Sequence, residues 1–260
     1  MRDLRNRWHS YLRKRTFKRE IATIRQQALS LLLERRREFL GSPSAYAKKI
    51  LGMKPFPYQA KLLEDQRKRI VACMGRQTGK TTTIAMKAIY FADTSQKVTI
   101  LITSPSLRQS MIMFDRIATF VFSTPYLRSR VVRSTRTLIQ FENKSRIIAL
   151  PCSANLLRGY SAHMVICDEV AFMPEDVITQ IVLPMLSTTD GYAIFLGTPW
   201  GKDHFFYRAF VNPAYSVHKV RSDECPLIKL EFLAEMRENM TKEAYMMEYE
   251  AEFVQALNSY

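Results

Sequence analysis

The feature that most constrains this chain is the segment MGRQTGKT, Met74–Thr81. It follows the apolar run RIVAC directly and leads into TTTIAMKAIYFA, whose apolar residues recur at helical spacing. A strand that turns into a helix through such a loop can wrap backbone N–H groups around a phosphate, and the first turn of the helix adds its own unpaired N–H groups. Gly79, Lys80 and Thr81 fill the last three positions of the pattern G-x-x-x-x-G-K-[ST]. Met74 stands where the first glycine is usual, so the neighbouring Gly75 is expected to supply the sharp turn. Gly75, Arg76, Gln77, Thr78 and Gly79 would then surround the phosphates, with Lys80 reaching the β and γ groups and Thr81 binding a metal ion. ATP with Mg²⁺ is the expected cofactor pair. A chance G-K-T triplet would be weak support, but the strand before and the helix after are the context the motif requires.

The rest of the chain supplies a sheet for such a loop. RIVACM, VTILIT, HMVICD and YAIFLG read as nearly unbroken apolar runs, as strands covered on both faces do, and longer amphipathic stretches alternate with them. Between the second and third runs, TRTLIQF and SRIIALP flank Glu142, Asn143 and Lys144 and read as a β-hairpin. The expected fold class is therefore α/β: a P-loop NTPase of RecA/ASCE-like type, a mainly parallel sheet flanked by helices with an inserted hairpin. Ligands of such sheets bind at the carboxyl ends of the strands. The chain has only eight glycines, and most of them, Gly75, Gly79, Gly159, Gly191, Gly197 and Gly201, fall near expected strand ends.

Two strand ends carry further chemistry. HMVICDE places Asp168 and Glu169 behind an apolar strand. Asp168 would hold Mg²⁺ and Glu169 would orient and polarise an attacking water. The alternative is a carboxylate pair favoured by a helix N-terminus. GYAIFLGTPWG brings Thr198 to the end of the next strand, beside Glu169, because consecutive elements of such sheets tend to be neighbours. Its hydroxyl is placed to sense the γ-phosphate, or it ends the strand in a turn with Gly197 and Pro199.

Charge bears on partners. Lys and Arg number 39 against 24 Asp and Glu, a formal charge of +15, which points to a polyanion. Arg128, Arg130, Arg133 and Arg136 crowd the approach to the hairpin and are the expected contacts to DNA phosphates, a solvated basic face being the other reading. The first fifty residues hold a basic cluster, Arg2 to Arg19, followed by ALSLLLERRREFL at helical spacing. They read as a basic helical appendage over 1–50, either a solvated helix face or a contact to DNA or a partner. Gly41 and Pro43 mark a break, 51–255 is the expected ATPase domain, and 256–260 is a tail or the start of a linker. Cys73, Cys152, Cys167 and Cys225 lack metal spacing, so neither structural zinc nor a disulfide framework is expected. No apolar run is long enough for a membrane span, and a soluble intracellular protein is expected.

Taken in order, PYQ, GRQTGKT, LLRG, ICDE and LGTP resemble the N-terminal ATPase domain of large terminase subunits of tailed viruses. The resemblance covers roughly residues 54–253, and the joint order of the motifs is far more specific than any single one. It implies that Arg76 contacts phosphate beside Lys80 and Thr81, and that Asp168 and Glu169 form the acidic pair. It further implies that Thr198 couples hydrolysis to movement and that Tyr58 and Gln59 form the adenine-binding element, core packing being the alternative for Tyr58. Arg158 of LLRG falls in the loop from which such enzymes deliver an arginine to a neighbouring subunit. Arg76 competes for that task from within its own subunit, Arg146 is a weaker third choice, and a tie to a local carboxylate is the plain reading of Arg158. The implied partners are double-stranded DNA, a homo-oligomeric ring, the portal and the small terminase subunit, in the cytoplasm of the infected host cell. Large terminases usually continue into a nuclease domain, whereas this chain stops near EYEAEFVQALNSY, so no nuclease activity is expected of it. Two other readings share the motifs: a helicase-like DNA translocase, and a non-catalytic DNA-binding adaptor with a vestigial nucleotide site.

Overall fold

The computed structural model describes residues 40–255, together with Glu20, Ile21, Thr23, Ile24, Gln27 and Leu31. The basic appendage expected over 1–50 lies for most of its length outside the described residues, as does the tail 256–260. The chain divides into two units between Ser42 and Pro43, earlier than the expected domain start at 51. The second unit opens with α1 (Pro43–Lys49), which the hydroxyl of Tyr46 ties to Asp93 at 3.0 Å.

A single eight-stranded sheet organises this unit. In chain order, α2 (Pro57–Glu64) precedes β1 (Arg69–Met74), and α3 (Lys80–Thr94) precedes β2 (Thr99–Ser104) and α4 (Leu107–Ser123). Then come β3 (Val131–Thr135), β4 (Leu138–Phe141), β5 (Arg146–Pro151), α5 (Ala154–Leu157), β6 (Met164–Cys167) and β7 (Tyr192–Gly197). The unit ends with α6 (Phe205–Val211), β8 (Ser216–Val220), α7 (Leu230–Asn239) and α8 (Lys242–Glu248). The strands lie in the order β3-β4-β5-β2-β6-β7-β1-β8. Neighbours from β5 to β8 are all parallel, and only β4 runs against its neighbours.

The apolar runs of the sequence are the middle of this sheet. β2 and β6 are buried at every position, and β1 and β7 at all but the first, because helices cover both faces. Burial of side chains such as Ile166 and Phe195, both fully enclosed, contributes about 1.5–3 kcal/mol apiece. At the edges the pattern changes. β8 alternates half-buried and exposed positions before the buried Val220, and β3 is exposed along most of its length.

The hairpin forms where expected, from β4 and β5, with Lys144 in the left-handed region at φ 65°. Asn143 at its tip donates to the carbonyls of Ala92 and Ser95 at 2.8 and 2.7 Å and so ties the hairpin to the end of α3. It is an integral part of the sheet, since β5 pairs along its whole length with β2 and β3 extends the meander by one more strand.

Candidate active site

Three adjacent strands, β6, β7 and β1, end on one side of the sheet, and each delivers one piece of the site. The loop after β1 turns into α3 through Gly79, left-handed at φ 81°, so the first N–H groups of a fifteen-residue helix face the loop. The strand between the loop and the acidic pair carries Thr198. The three pieces meet at Lys80: its Nζ donates to Thr198 Oγ1 at 3.2 Å and lies 3.7 Å from Glu169 Oε1. Around them is a cleft of about 690 Å³, lined also by Thr81, Asp168 and Trp200.

Asp168 is almost entirely buried, and burial pushes its carboxyl up to about 6, with the neighbouring Glu169 charge acting the same way and Lys80 and the Glu169 N–H opposing. The Glu169 N–H donates to Asp168 Oδ1 at 3.1 Å. Glu169 itself occupies the left-handed region, φ 55° and ψ 46°, and makes no capping hydrogen bond to the short turn that follows. That conformation costs a non-glycine residue on the order of 1 kcal/mol and is held by the surrounding fold. Glu169 thus stands at the N-terminus of a three-residue turn without a side-chain hydrogen bond to it.

The hydroxyl of Thr81 and the carboxylate of Asp168 are hard oxygen donors opening on the same cleft, which suits Mg²⁺. Among the described residues no group of three or more His, Cys, Asp and Glu side chains could hold a metal. An ion here would need the substrate's own phosphates, as Mg²⁺ commonly does.

The loop is braced from behind. Its left-handed positions are Gln77 and Gly79; Gly75 is not one of them, so it does not supply the turn by positive φ. Gly75 is needed for close approach instead: a Cβ there would lie 2.5 Å from Ser222 Oγ and 2.8 Å from the Tyr249 carbonyl oxygen. The Gly75 N–H donates to the Val220 carbonyl at 2.9 Å, and Ser222 donates its hydroxyl to the Arg76 carbonyl at 2.9 Å.

Tyr58 and Gln59 both donate to the Thr78 carbonyl, at 2.9 and 3.2 Å, and neither lines the cleft. Here they are braces of the loop. Burial, with the Cys225 thiol next in weight, holds the Tyr58 phenol well above its ordinary range. Arg76 lines the cleft, but its guanidinium forms a two-point pair with Glu248, Nε to Oε2 at 2.5 Å and Nη2 to Oε1 at 3.0 Å. That pairing raises its pKa further.

Arg158 caps α5, is exposed, and lies outside the phosphate cleft, on a separate surface cavity with Gln180 and Pro184. Among the described residues its guanidinium has no carboxylate partner. Arg146 is exposed and donates to Thr99 Oγ1 at 3.0 Å.

Of the four arginines expected on DNA, Arg128, Arg133 and Arg136 are exposed. Arg130 is a correction. Its side chain is 15% exposed and is occupied by the fully buried Asp93, Nε to Oδ1 at 3.1 Å, and by Glu142 at 2.5 Å. A buried carboxylate is stabilised by a cation close by, and Arg130 supplies one.

Glu248, Ser222 and Tyr249 were not anticipated. They reach the loop from more than a hundred residues away, and no local pattern marks them. The aromatic pair Phe172 and Trp200, ring centroids 5.2 Å apart at the mouth of the cleft, was likewise missed.

Residues 71–260 match the family described as terminase large subunit, T4likevirus-type, N-terminal. The terminase large subunit of Thermus virus P23-45 is 28% identical over 257 residues, covering 84% of this chain and 52% of that protein. The chain thus spans about half the length of this relative. The fold resembles the ATPase domain of the Thermus phage P74-26 large terminase, solved as a point variant, with a TM-score of 0.74 and 24% identity over 82% of this chain and all of that one. The large terminase of another thermophilic bacteriophage, solved in complex with ADP, shares the fold at a TM-score of 0.66 and 17% identity over 77% of this chain and 54% of its own. With the match covering most of its length, and with the loop, acidic pair and threonine gathered on adjacent strand ends, the chain belongs to the T4-like-virus-type family of terminase large subunits, in their N-terminal part.

Proposed function

We propose that this chain is the ATP-hydrolysing motor domain of a DNA-packaging terminase, which drives double-stranded DNA into a viral procapsid. The observation that carries the reading is the convergence on Lys80 of Thr198 and Glu169 from neighbouring strand ends. The ADP complex of the thermophilic bacteriophage terminase, which has the same fold, supports nucleotide binding in this cleft. Lys80 and the N–H groups of the loop and of the first turn of α3 bind the β- and γ-phosphates and stabilise the charge that develops on the transferred group. Glu169 holds the attacking water in line and takes its proton. Thr81 and Asp168 would hold Mg²⁺, which when bound neutralises charge shared between the β and γ oxygens. Thr198, in hydrogen bond with Lys80, reports the state of the γ-phosphate to β7 and the segment beyond it.

Arg158 supplies a guanidinium to the site of a neighbouring subunit in a homo-oligomeric ring. Its exposure outside its own cleft and its lack of a carboxylate partner among the described residues support this assignment. Arg128, Arg133 and Arg136 grip DNA through its phosphates without reading sequence. The portal and the small terminase subunit are the further partners, in the cytoplasm of the infected host cell. No described helix is long and apolar enough to cross a membrane. The ATPase domain occupies 51–255, and nuclease chemistry is not assigned to it.

DNA-stimulated phosphate release tests the reading. A motor releases phosphate from ATP faster with DNA than without it, whereas an adaptor with a vestigial site releases none. Mixing Arg158→Ala protein with Glu169→Gln protein restores hydrolysis if the arginine acts in trans. Mixed assemblies that form and remain inactive rule that role out.

A further inference from the structure

Two large aromatic side chains stand open at the mouth of the phosphate cleft. Phe172 is 51% exposed and Trp200 45%, with ring centroids 5.2 Å apart and planes tilted by 58°. Ile112 of α4, 63% exposed, lines the same cleft. Both rings are fixed close to the chemistry. Phe172 ends the three-residue turn that opens at Glu169, its N–H donating to the Glu169 carbonyl at 3.1 Å, and Trp200 follows Thr198 by two residues. The Trp200 carbonyl accepts the Val254 N–H at 3.3 Å, which anchors this segment to the end of the domain. Exposed apolar surface rimmed by polar groups is where proteins dock.

The pair suits a flat cation. Aromatic faces attract a guanidinium, the indole most strongly. Elsewhere the chain fills such places with its own cations, Arg130 over Tyr126 and Arg237 over Tyr245. Among the described residues no cation lies over Phe172 or Trp200. Asp168, Glu169 and Glu248 line the same cleft and make its entrance favourable to positive charge. The cleft's own cations are committed, Arg76 to Glu248 and Lys80 to Thr198 and Glu169.

Arg158 has the complementary surroundings. It is exposed on a cavity lined by Leu157, Tyr160, Ile181, Pro184 and Met185, beside Leu156, which is 51% exposed. No carboxylate lines that cavity. The two surfaces are unlike each other, so copies joined through them stand head to tail, the arrangement that closes into a ring. Tryptophan and arginine are also the residues on which protein interfaces most often depend.

We propose that Phe172 and Trp200 form the seat on which Arg158 of a second copy is held, its guanidinium stacked on the indole and directed past Glu169 towards the γ-phosphate. The proposal rests on the trans reading of Arg158. The aromatic pair is a positioning device that sets where the guanidinium stops, and Leu156 of the second copy packs on the apolar rim beside it.

Tryptophan fluorescence reads this contact, because the chain has two tryptophans, Trp8 and Trp200. A reporter chain carries Trp8→Phe and Arg158→Ala. A donor chain carries Glu169→Gln with Trp8→Phe and Trp200→Phe, so it adds no tryptophan signal. The two are mixed on DNA with Mg²⁺ and ATP, and emission and phosphate release are followed together. The donor should restore hydrolysis and change the Trp200 emission, and a donor that also carries Arg158→Ala should do neither. Trp200→Ala in the reporter should lower the restored rate about tenfold, the scale of a cation–π contact, and Trp200→Phe should recover most of it. Affinity for a non-hydrolysable ATP analogue should stay within twofold in both, with unfolding midpoints unchanged. Restored hydrolysis with constant emission, or with the same change for both donors, overturns the seat and leaves the trans arginine standing. A loss of analogue affinity in Trp200→Ala places the ring on the nucleotide and likewise overturns the seat. A mixture that regains no hydrolysis overturns the trans reading and the seat with it.

Discussion

Replacing Arg130 by alanine separates a structural arginine from those that meet DNA. Asp93 is fully buried, and its carboxylate is held by Arg130 at 3.1 Å and by the Tyr46 hydroxyl at 3.0 Å. Removing the guanidinium takes from this buried charge the cation 3.1 Å away, a loss of about 3–5 kcal/mol. The pair to Glu142 adds little, because that side chain is half exposed and screened by solvent. For a domain of this size each kcal/mol lowers the unfolding midpoint by about 2–4 °C, so Arg130→Ala should unfold roughly 6–20 °C below the parent. Thermal unfolding followed by circular dichroism reads the shift. The double variant Arg130→Ala with Asp93→Asn should recover part of it, because the carboxamide carries no charge and still accepts from Tyr46. A midpoint within about 2 °C of the parent, or no recovery in the double variant, would refute the argument that Arg130 is retained for Asp93.

Arg133→Ala and Arg136→Ala, both at exposed positions, should leave the midpoint within about 2 °C and reduce the slope of DNA affinity against salt by about one unit each. Unchanged slopes would make this a solvated basic face. Gly75→Ala should lower stability by about 1–3 kcal/mol and weaken ATP binding, because two of the contacts its Cβ would make, to the Tyr249 carbonyl oxygen and the Ser222 nitrogen, are to backbone; a crystal structure of the variant with the loop undisplaced would contradict this. Burial pushes the thiols of Cys73 and Cys152 up to about 12 and about 11, and that of Cys167 well above the ordinary value of 9.0. The unfolded chain therefore releases these protons first, so their stabilising contribution is complete below about pH 9 and is lost as pH rises through the folded values. Unfolding midpoints measured from pH 8 to 11 should fall, and fall less in Cys167→Ala relative to that variant's own value at pH 8.

The parts legible in the sequence are those whose physics is local. β1, β2, β6 and β7 are covered on both faces, so their residues must be apolar almost without interruption, and such runs stand out. The placing of Glu169 and Thr198 was legible for the same reason, since they follow the ends of β6 and β7, and Lys80 because it opens the helix to which the loop after β1 leads. β8 was missed because SVHKV is a short edge strand with alternating burial, and β3 because VVRST is exposed along most of its length. Nothing local distinguishes Arg130 from Arg128, Arg133 and Arg136; the difference is Asp93, a distant residue that only the folded chain brings near. The pairing of Arg76 with Glu248 is likewise long-range, and so is the packing of Ser222 and Tyr249 on Gly75. Tyr58 and Gln59 were legible as part of a motif, whereas their hydrogen bonds to the Thr78 carbonyl, some twenty residues away, were not.

Binding of ATP through Lys80 and its hydrolysis through Glu169 in one cleft are separated by measuring affinity and turnover on the same two variants. Nucleotide affinity comes from calorimetry with a non-hydrolysable ATP analogue and Mg²⁺, and turnover from phosphate release in the presence of DNA. Glu169→Gln should bind the analogue within a few-fold of the parent and release phosphate at least about a hundredfold more slowly, since loss of a general base costs 10²–10⁴ in rate. Lys80→Ala should lose binding itself. Phosphate release by Glu169→Gln at the parent rate, or analogue binding by Lys80→Ala at the parent affinity, would remove that residue from the chemistry of the cleft.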